Sequence, residues 1–546
     1  MAHASIERVV EDRFIGVVRR DLGMVKKQVA TESVLARRGF LAASTSCLLI
    51  ASRSWSSDEV VQKRPALGDY PFKLGVASGD PNASGFVIWT RLAPKPTEGG
   101  GMPADSVAVA WEVAKDENFK QVVSQGESIA VPQLAHSVHV EVRGLEPNQW
   151  YWYRFHVADE TSPVGRARTM PKLSEPSDLL RFAFASCQHY ESGYYTAYEH
   201  MAKEDLDLVF HLGDYIYEGP GKPGGVRLHL GNEIQSLEDY RNRHALYKTD
   251  EHLQRMHTRC PWVVAWDDHE LDNNCAGAIS EQENVDRASF LARRMNAYQA
   301  YYEHMPLRHG SIPTGPDMQL YRRIQFGSLA EFNVLDTRQY RSDQPNGDGL
   351  SPLTGDAIDP KTTMLGKKQE GWLFRGLLQS RSKWNVLAQQ VMMARVDFKE
   401  GEEKAFSMDQ WSGYDVARTR LLDFLATRRV PNPVVLTGDI HSNWCNDLLV
   451  NFDDREGTPV AAEFVGTSIS SGGDGGKARV NLDRLLAENP FVKFANAQRG
   501  YVQCTVTPKE WRSDYRIVEY VSKPGAPLVT KASFVVESGS PGVKPV

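Results

Sequence analysis

At 546 residues, 41% hydrophobic and 24% charged, the chain is long enough for two or three domains with a large buried core, and its balance is that of an ordinary globular protein. Lys and Arg number 63 against 69 Asp and Glu, and the basic residues are scattered outside the N-terminal segment, which argues against a nucleic-acid-binding patch. Six cysteines, Cys47, Cys187, Cys260, Cys275, Cys445 and Cys504, stand at wide, irregular spacings that make neither a disulfide framework nor a CxxC-type zinc site.

Residues 1–65 read as a signal and leader. In ARRGFLAASTSCLLIAS, Arg37 and Arg38 precede an apolar run of about a dozen residues, too short to span a bilayer and arranged like a twin-arginine export signal. The expectation is a secreted or periplasmic protein that engages the twin-arginine translocation machinery and has no transmembrane segment when mature. Cys47 follows STS, a poor lipobox, so no lipid anchor is expected.

Residues 66–171 read as a β-sandwich domain of fibronectin or immunoglobulin type. KLGVASGD, GFVIWTRL, VAVAWEVA, HSVHVEVRGL and WYWYRFHV alternate apolar and polar residues between Gly, Pro and Asn turns, the signature of about seven strands. His136, His139 and His156 are expected on the sheet faces. MPKLSEPSD then makes a linker.

From residue 178 to 535 the rhythm changes. LRFAFASC, LDLVFHLGD, CPWVVAWDD, AEFNVLD, KWNVLAQQ and NPVVLTGD are short, continuously apolar runs typical of strands buried on both faces. Between them lie helical segments, clearest at 285–304, 365–380 and 413–429, so an α/β domain is expected. Ser470 to Ala478, SSGGDGGKA, reads as a mobile loop, and 536–546 as a C-terminal tail.

The strand ends carry the chemistry. Cys187 follows the first apolar run, Asp214 and Tyr217 the second, Asp268 and His269 the third, Asp336 and Arg338 another, and Asp439 and His441 a late one. In an open α/β sheet the carboxyl ends of the strands line one crevice, so these side chains are expected to converge there. A single strand-end Asp is usually a helix cap or turn former; five such ends in one domain point to a site.

FASCQ, GDYIYE, WDDHELDNN, LDTRQYRSDQP, LAQQVMMA and LTGDIHSNW, in this order, resemble the PhoD-type alkaline phosphatase and phosphodiesterase family of the metallophosphoesterase superfamily. The likeness extends over nearly the whole chain, because the segment beginning FKLGVASGDP is similar to that family's N-terminal domain. It implies hydrolysis of phosphate mono- or diesters by a site holding Fe³⁺ and Ca²⁺.

Carried over position by position, the resemblance makes Asp214 the carboxylate that bridges two cations. Tyr217 matches the phenolate that purple acid phosphatases give to ferric iron, and Cys187 and His441 complete the iron's protein ligands. Asp268 and Asp439 replace the Asn and His of the wider superfamily, an oxygen-rich exchange that suits Ca²⁺. Asn273 and Asn274 are read as further oxygen donors or as loop-fixing groups, with Asn274 carried forward as a ligand. Gln389 or Gln390 stands near another superfamily His. His269 is expected to protonate the leaving oxygen or stabilise its charge, and Arg338 to clamp phosphate, with an ion pair to Asp336 or Asp343 as its alternative. Two other readings compete: a thiol hydrolase with Cys187 as nucleophile and His189 or His269 as base, and a non-enzymatic extracellular protein that binds metal or phosphate.

Overall fold

A computed structural model describes residues 67–476 and 482–546; the expected signal and leader, with Arg37, Arg38 and Cys47, lie outside these. Two mixed sheets form the centre. The first runs, in spatial order, Ser540–Pro545, Leu528–Glu537, Glu510–Val518, Gly500–Val506, Leu180–Ala185, Leu208–Leu212, Trp262–Ala265, Val76–Asn82, Gly85–Arg91 and Ser137–Val142. The second runs Arg322–Phe326, Ala330–Val334, Trp384–Ala388, Pro433–Thr437, Ala461–Val465, Asn443–Leu448 and Val492–Asn496.

The apolar runs become parallel strands because both of their faces are covered. Leu208–Leu212 is buried at every residue and pairs in parallel with Leu180–Ala185 on one side and Trp262–Ala265 on the other. The sheets share a core in which the Phe332 ring of the second lies 5.4 Å from Phe182 and 4.6 Å from Phe210 of the first. The opposite face of the second sheet presents Leu387, Val435 and Val465 to the helices Gly366–Gln379 and Asp415–Thr427. Helix Arg287–His304 begins where Asp286 accepts from the amides of Ala288 and Ser289, a side-chain cap for otherwise unpaired donors. These three helices match the expected segments to within a turn.

The N-terminal strands fall into two sheets, but one of them is not separate. Val76–Asn82 pairs in parallel with Trp262–Ala265 through Gly79 and Trp262, so three expected sandwich strands extend the large sheet. This covers a strand edge that would otherwise expose unpaired amides. The remaining sheet is built from Val122–Ala130, Val107–Ala114 and Trp150–Val157, with Glu160–Thr161 and Gly165–Arg168 both paired to Trp150–Val157. It packs on the first around Phe86, Ile88, Val109, Val140, Tyr153 and Phe155. His139 is a tether rather than a plain face residue, since its Nε2 lies 2.9 Å from the Tyr302 carbonyl and 3.0 Å from that of Met305.

The C-terminal end differs from the expected tail. Ser540–Pro545 pairs with Leu528–Glu537, and the Val543 amide donates to Asp447 Oδ1 at 2.8 Å. Phe534, Val536 and Val543 are buried in the shared core, while Pro541, Pro545 and Lys544 suit an outermost strand.

Beneath the sheet the core holds an unusual polar group. Lys248 lies almost fully buried with its ammonium 4.4 Å from the Trp89 ring and 5.3 Å from that of Tyr215. Around it, His211 and His244 leave both ring nitrogens without a hydrogen-bond partner. Burial pushes Lys248 down to about 7, and burial followed by the charge of Lys248 pushes His211 down to about 3.

A cationic group whose pKa falls on folding makes the native state weaker as pH drops from its unfolded to its folded value, because the unfolded chain takes the proton first. Lys248 therefore costs stability between about pH 10 and 7, up to a few kcal/mol. Lys248→Met should raise the urea midpoint over the parent at pH 7 and lose most of that advantage at pH 10. An advantage that does not change with pH would contradict this assignment.

Candidate active site

The carboxyl ends of the parallel strands all open on one edge, and there the backbone turns sharply. Cys187, Asp214, Asn274, Asp439 and His441 have φ values of 59°, 58°, 49°, 64° and 53°. Left-handed backbone costs a non-glycine residue about 1–2 kcal/mol, less for Asp and Asn, so its concentration at these five positions marks a constrained constellation. The next glycine is equally forced: Gly213 has φ +111°, and a Cβ there would lie 2.4 Å from Asp267 Cβ. Glu270 holds the two acidic loops together, its Oε2 accepting from the amides of Asp214 and Asp267 and its Oε1 from that of Tyr215. Burial, with the charge of Asp214, pushes Glu270 up to about 8.

One half of the site is built from sulfur, phenol and imidazole. Ligand-type atoms of Cys187, Asp214 and His441 lie within 4.8 Å of one another. Tyr217 Oη joins them, 2.7 Å from Asp214 Oδ2 and 3.1 Å from His441 Nε2. Burial, then Asp214 and Cys187, pushes the Tyr217 phenol well up, and the hydroxyl of Ser471 acts in the opposite sense. Burial and Asp214 likewise push the Cys187 thiol well above its ordinary value, the reverse of what activates a nucleophilic cysteine. His189 bonds Ser192 through Nδ1 and meets Tyr217 edge to face, and nothing places it as a base for the thiol.

The other half is carboxylate. Asp267, Asp268 and Asp439 form a second cluster, and Asp214, Asp268 and His269 a third, so Asp214 belongs to both halves. Arg338 lies among them. Its Nε donates to Asp267 at 2.5 Å, Nη1 to Asp409 at 2.9 Å and Nη2 to Asp439 at 3.1 Å, with Asp268 at 3.5 Å. The Arg338 side chain is 1% exposed. A phosphate clamp needs a fork facing the cleft, and this one is spent on carboxylates; Asp336 accepts instead from the Arg338 backbone amide at 3.1 Å, and the guanidinium's ion pairs are to Asp267, Asp268, Asp409 and Asp439 rather than to Asp336 or Asp343. Burial, together with Asp409, Asp268 and Asp214, pushes Asp439 up to about 6, whereas Arg338, His269 and the Asn274 amide hold Asp268 below the carboxylate range against burial.

His269 and His441 mark the open side, with side chains 20% and 35% exposed against 2% for Asp214. Glu218 Oε2 meets His269 Nδ1 at 2.7 Å, and Glu218, Asp268 and Asp214 together push the imidazole well up although burial opposes its charge. Asn274 donates its amide to Asp268 at 2.8 Å and turns its side chain to Asp348, while Asn273 ties Glu218 to Glu281. Gln389 and Gln390 are fully engaged in the core, bonding Val391, Thr437 and Trp411, and Leu335 and Thr337, respectively. They stand outside the site.

Four residues that the sequence reading passed over complete the frame: Glu218, Glu270, Asp409 and Ser471. Glu218 and Glu270 close the motifs GDYIYE and DDHE and were visible there; Asp409, from an irregular segment, carried no signal.

The donor set has unmet valences. Asp214 Oδ1 and Asp267 Oδ2 are buried without a hydrogen-bond partner, although their companion oxygens are paired. Asp267, Asp268, Asp409 and Asp439 face the two guanidinium groups of Arg338 and Arg341, a formal excess of two negative charges that one divalent cation would balance. The residues present therefore fit bound cations.

Sulfur, imidazole and clustered carboxylates at the strand ends of a two-sheet α/β core make a candidate site for metal ions. Residues 182–515 match the PhoD-like phosphatase family and residues 57–171 its N-terminal domain. Over 491 residues the chain is 54% identical to alkaline phosphatase D of Bacillus subtilis (strain 168), covering 89% of this chain and 84% of that protein. A solved structure of PhoD aligns with a TM-score of 0.86 at 54% identity, over 88% of this chain and 93% of that one. The chain belongs to the PhoD-like phosphatase family and is a phosphatase.

If Arg338 serves to neutralise the carboxylates, Arg338→Met should destabilise the chelator-treated protein by about 3–5 kcal/mol, since it leaves buried charges uncompensated. An added divalent cation should recover part of that loss. An unchanged melting temperature with a raised KM would instead identify Arg338 as a substrate clamp.

Proposed function

We propose that this phosphatase hydrolyses phosphate mono- or diesters outside the cytoplasm, on a metallophosphoesterase-like catalytic domain preceded by a β-sandwich. In this reading Cys187, Asp214, Tyr217 and His441 hold Fe³⁺, and Asp214, Asp268, Asn274 and Asp439 hold Ca²⁺. The observation that carries it is Asp214: it belongs to both ligand clusters and keeps one buried oxygen unpaired. Thiolate, phenolate and imidazole suit a ferric ion, whereas carboxylate and amide oxygens suit a hard, flexible divalent cation.

When bound, two such cations neutralise the ester's anionic oxygens and lower the pKa of an attacking water. The chain's own residues supply the rest. Glu218 fixes His269 through Nδ1, so the other ring nitrogen is the atom that delivers a proton to the leaving oxygen or steadies its charge. Arg338 compensates the carboxylates' charge and holds them in register, and Glu270 holds the two acidic loops at a fixed separation. The partly exposed His269 and His441 set the side from which an ester enters. Neither competing reading gains support: the Cys187 thiol is poorly activated, and the family is enzymatic. Among the described residues no helix is long and apolar enough to cross a membrane, and export by the twin-arginine route rests on Arg37 and Arg38.

Protein purified without added metals should contain iron and calcium, and a calcium chelator should abolish turnover of a chromogenic ester that Ca²⁺ alone restores. Restoration by Zn²⁺ but not by Ca²⁺ would contradict the assignment of Asp268 and Asp439. Replacing Arg37 and Arg38 with Lys should leave precursor inside the cell; normal export of that double variant would overturn the signal assignment.

A further inference from the structure

The Gly-rich stretch read from sequence as a mobile loop is pinned at its start. Ser470 and Ser471 are buried, and their amides lie 3.4 and 3.2 Å from the Cys187 carbonyl. The Ile469 amide donates to Ser186, and Ser470 Oγ donates to the His189 carbonyl at 2.8 Å. Arg499 ties the same run to the other side of the site, with Nη1 bonding the His441 carbonyl and Ser468 Oγ, and Nε bonding the Gly473 carbonyl. The run is thus a strap laid across the sulfur-and-phenol half.

One atom of the strap reaches the proposed ligands. Ser471 Oγ accepts from the His189 amide at 3.1 Å and stands 2.7 Å from both the Cys187 carbonyl and Tyr217 Oη. It owns a single proton for those two acceptors. While Tyr217 is a phenol, its proton goes to Asp214 Oδ2 at 2.7 Å, and the serine proton can rest on the Cys187 carbonyl. When Tyr217 binds a cation its proton leaves to solvent, and its oxygen becomes a charged acceptor. Of the groups around that oxygen, Asp214 can only accept and His441 Nε2 is itself a proposed ligand, which leaves Ser471 to donate.

We propose that Ser471 is a positioning residue that donates its hydroxyl proton to the Tyr217 phenolate and so tunes the electron density which that phenolate gives to the bound metal. The inference rests on the ferric-site reading above. A charge-assisted hydrogen bond of this kind is about twice as strong as a neutral one, and an outer hydrogen bond of this sort sets the properties of the metal it does not touch. Removing the donor raises the energy of the phenolate's electrons, so the light needed to move one to the metal falls in energy.

The test is the visible spectrum of the iron-loaded protein, read beside its iron content. Ser471→Ala should move the phenolate-to-iron band to longer wavelength at equal iron occupancy. Ser471→Thr, which keeps the hydroxyl, should leave the band near that of the parent. Ser470→Ala controls for loosening of the strap, because that hydroxyl bonds His189 and no proposed ligand, and its band should stay in place. Loss of iron from Ser471→Ala, restored in Ser471→Thr and absent in Ser470→Ala, would equally support the role. A band unmoved in Ser471→Ala, or moved as far in Ser470→Ala, overturns the inference and leaves the ferric site standing. A parent protein that binds iron without any such band overturns the Tyr217 assignment and this inference with it.

Discussion

The mutual repulsion of Asp214, Asp267, Asp268 and Asp439, gathered within a few ångströms in a buried crevice, is the constraint on which the rest of the site depends. Carboxylates taken out of water are costly unless paired, and like charges at this range raise one another's pKa. The fold answers with Arg338 at the centre, Arg341 behind Asp409, and backbone amides aimed at Glu270. Left-handed backbone at Cys187, Asp214, Asp439 and His441 points these side chains back toward one another as each strand ends. Such a conformation persists because two stacked sheets and their helices over-determine it.

The two halves differ in what they can bind. The half containing Cys187, Tyr217 and His441 offers softer, more covalent donors; Ser471 braces it from the strap beyond Ala461–Val465, and Arg499, just ahead of Gly500–Val506, ties that strap to His441. The other half is mainly carboxylate and is crossed by a fixed guanidinium, so a divalent cation there would meet an already half-compensated charge. If the proposed cations are bound, that contrast would favour tight retention of one and reversible exchange of the other.

Much of this was legible in the sequence because each apolar run ends abruptly on a ligand-type residue. LVFHLGD, VVAWDD and VVLTGD declare a doubly buried strand and its functional end in a few letters, and six ordered motifs named the family. Orientation was not legible. Arg338 lies beside the right strand, yet its guanidinium turns into the carboxylates, because four buried acids outcompete an open cleft. Gln389 and Gln390 follow a strand too, but their amides are consumed by core partners. Ser471 was hidden in a run whose glycines signal freedom, since nothing in SSGGDGG shows that its first residues dock on a distant strand end. The N-terminal strands were read correctly as strands; their pairing with Trp262 depends on a partner far along the chain.

In the proposed site two chemically different cations share Asp214. Crystals of protein purified without added metals, measured with X-rays just above and just below the iron absorption edge, test it most directly. One peak should appear only above the edge, within bonding distance of Cys187 Sγ, Tyr217 Oη, His441 and Asp214. A second peak, indifferent to that edge, should lie between Asp214, Asp268 and Asp439. A single metal peak, or an edge-sensitive peak remote from Cys187 and Tyr217, would contradict it.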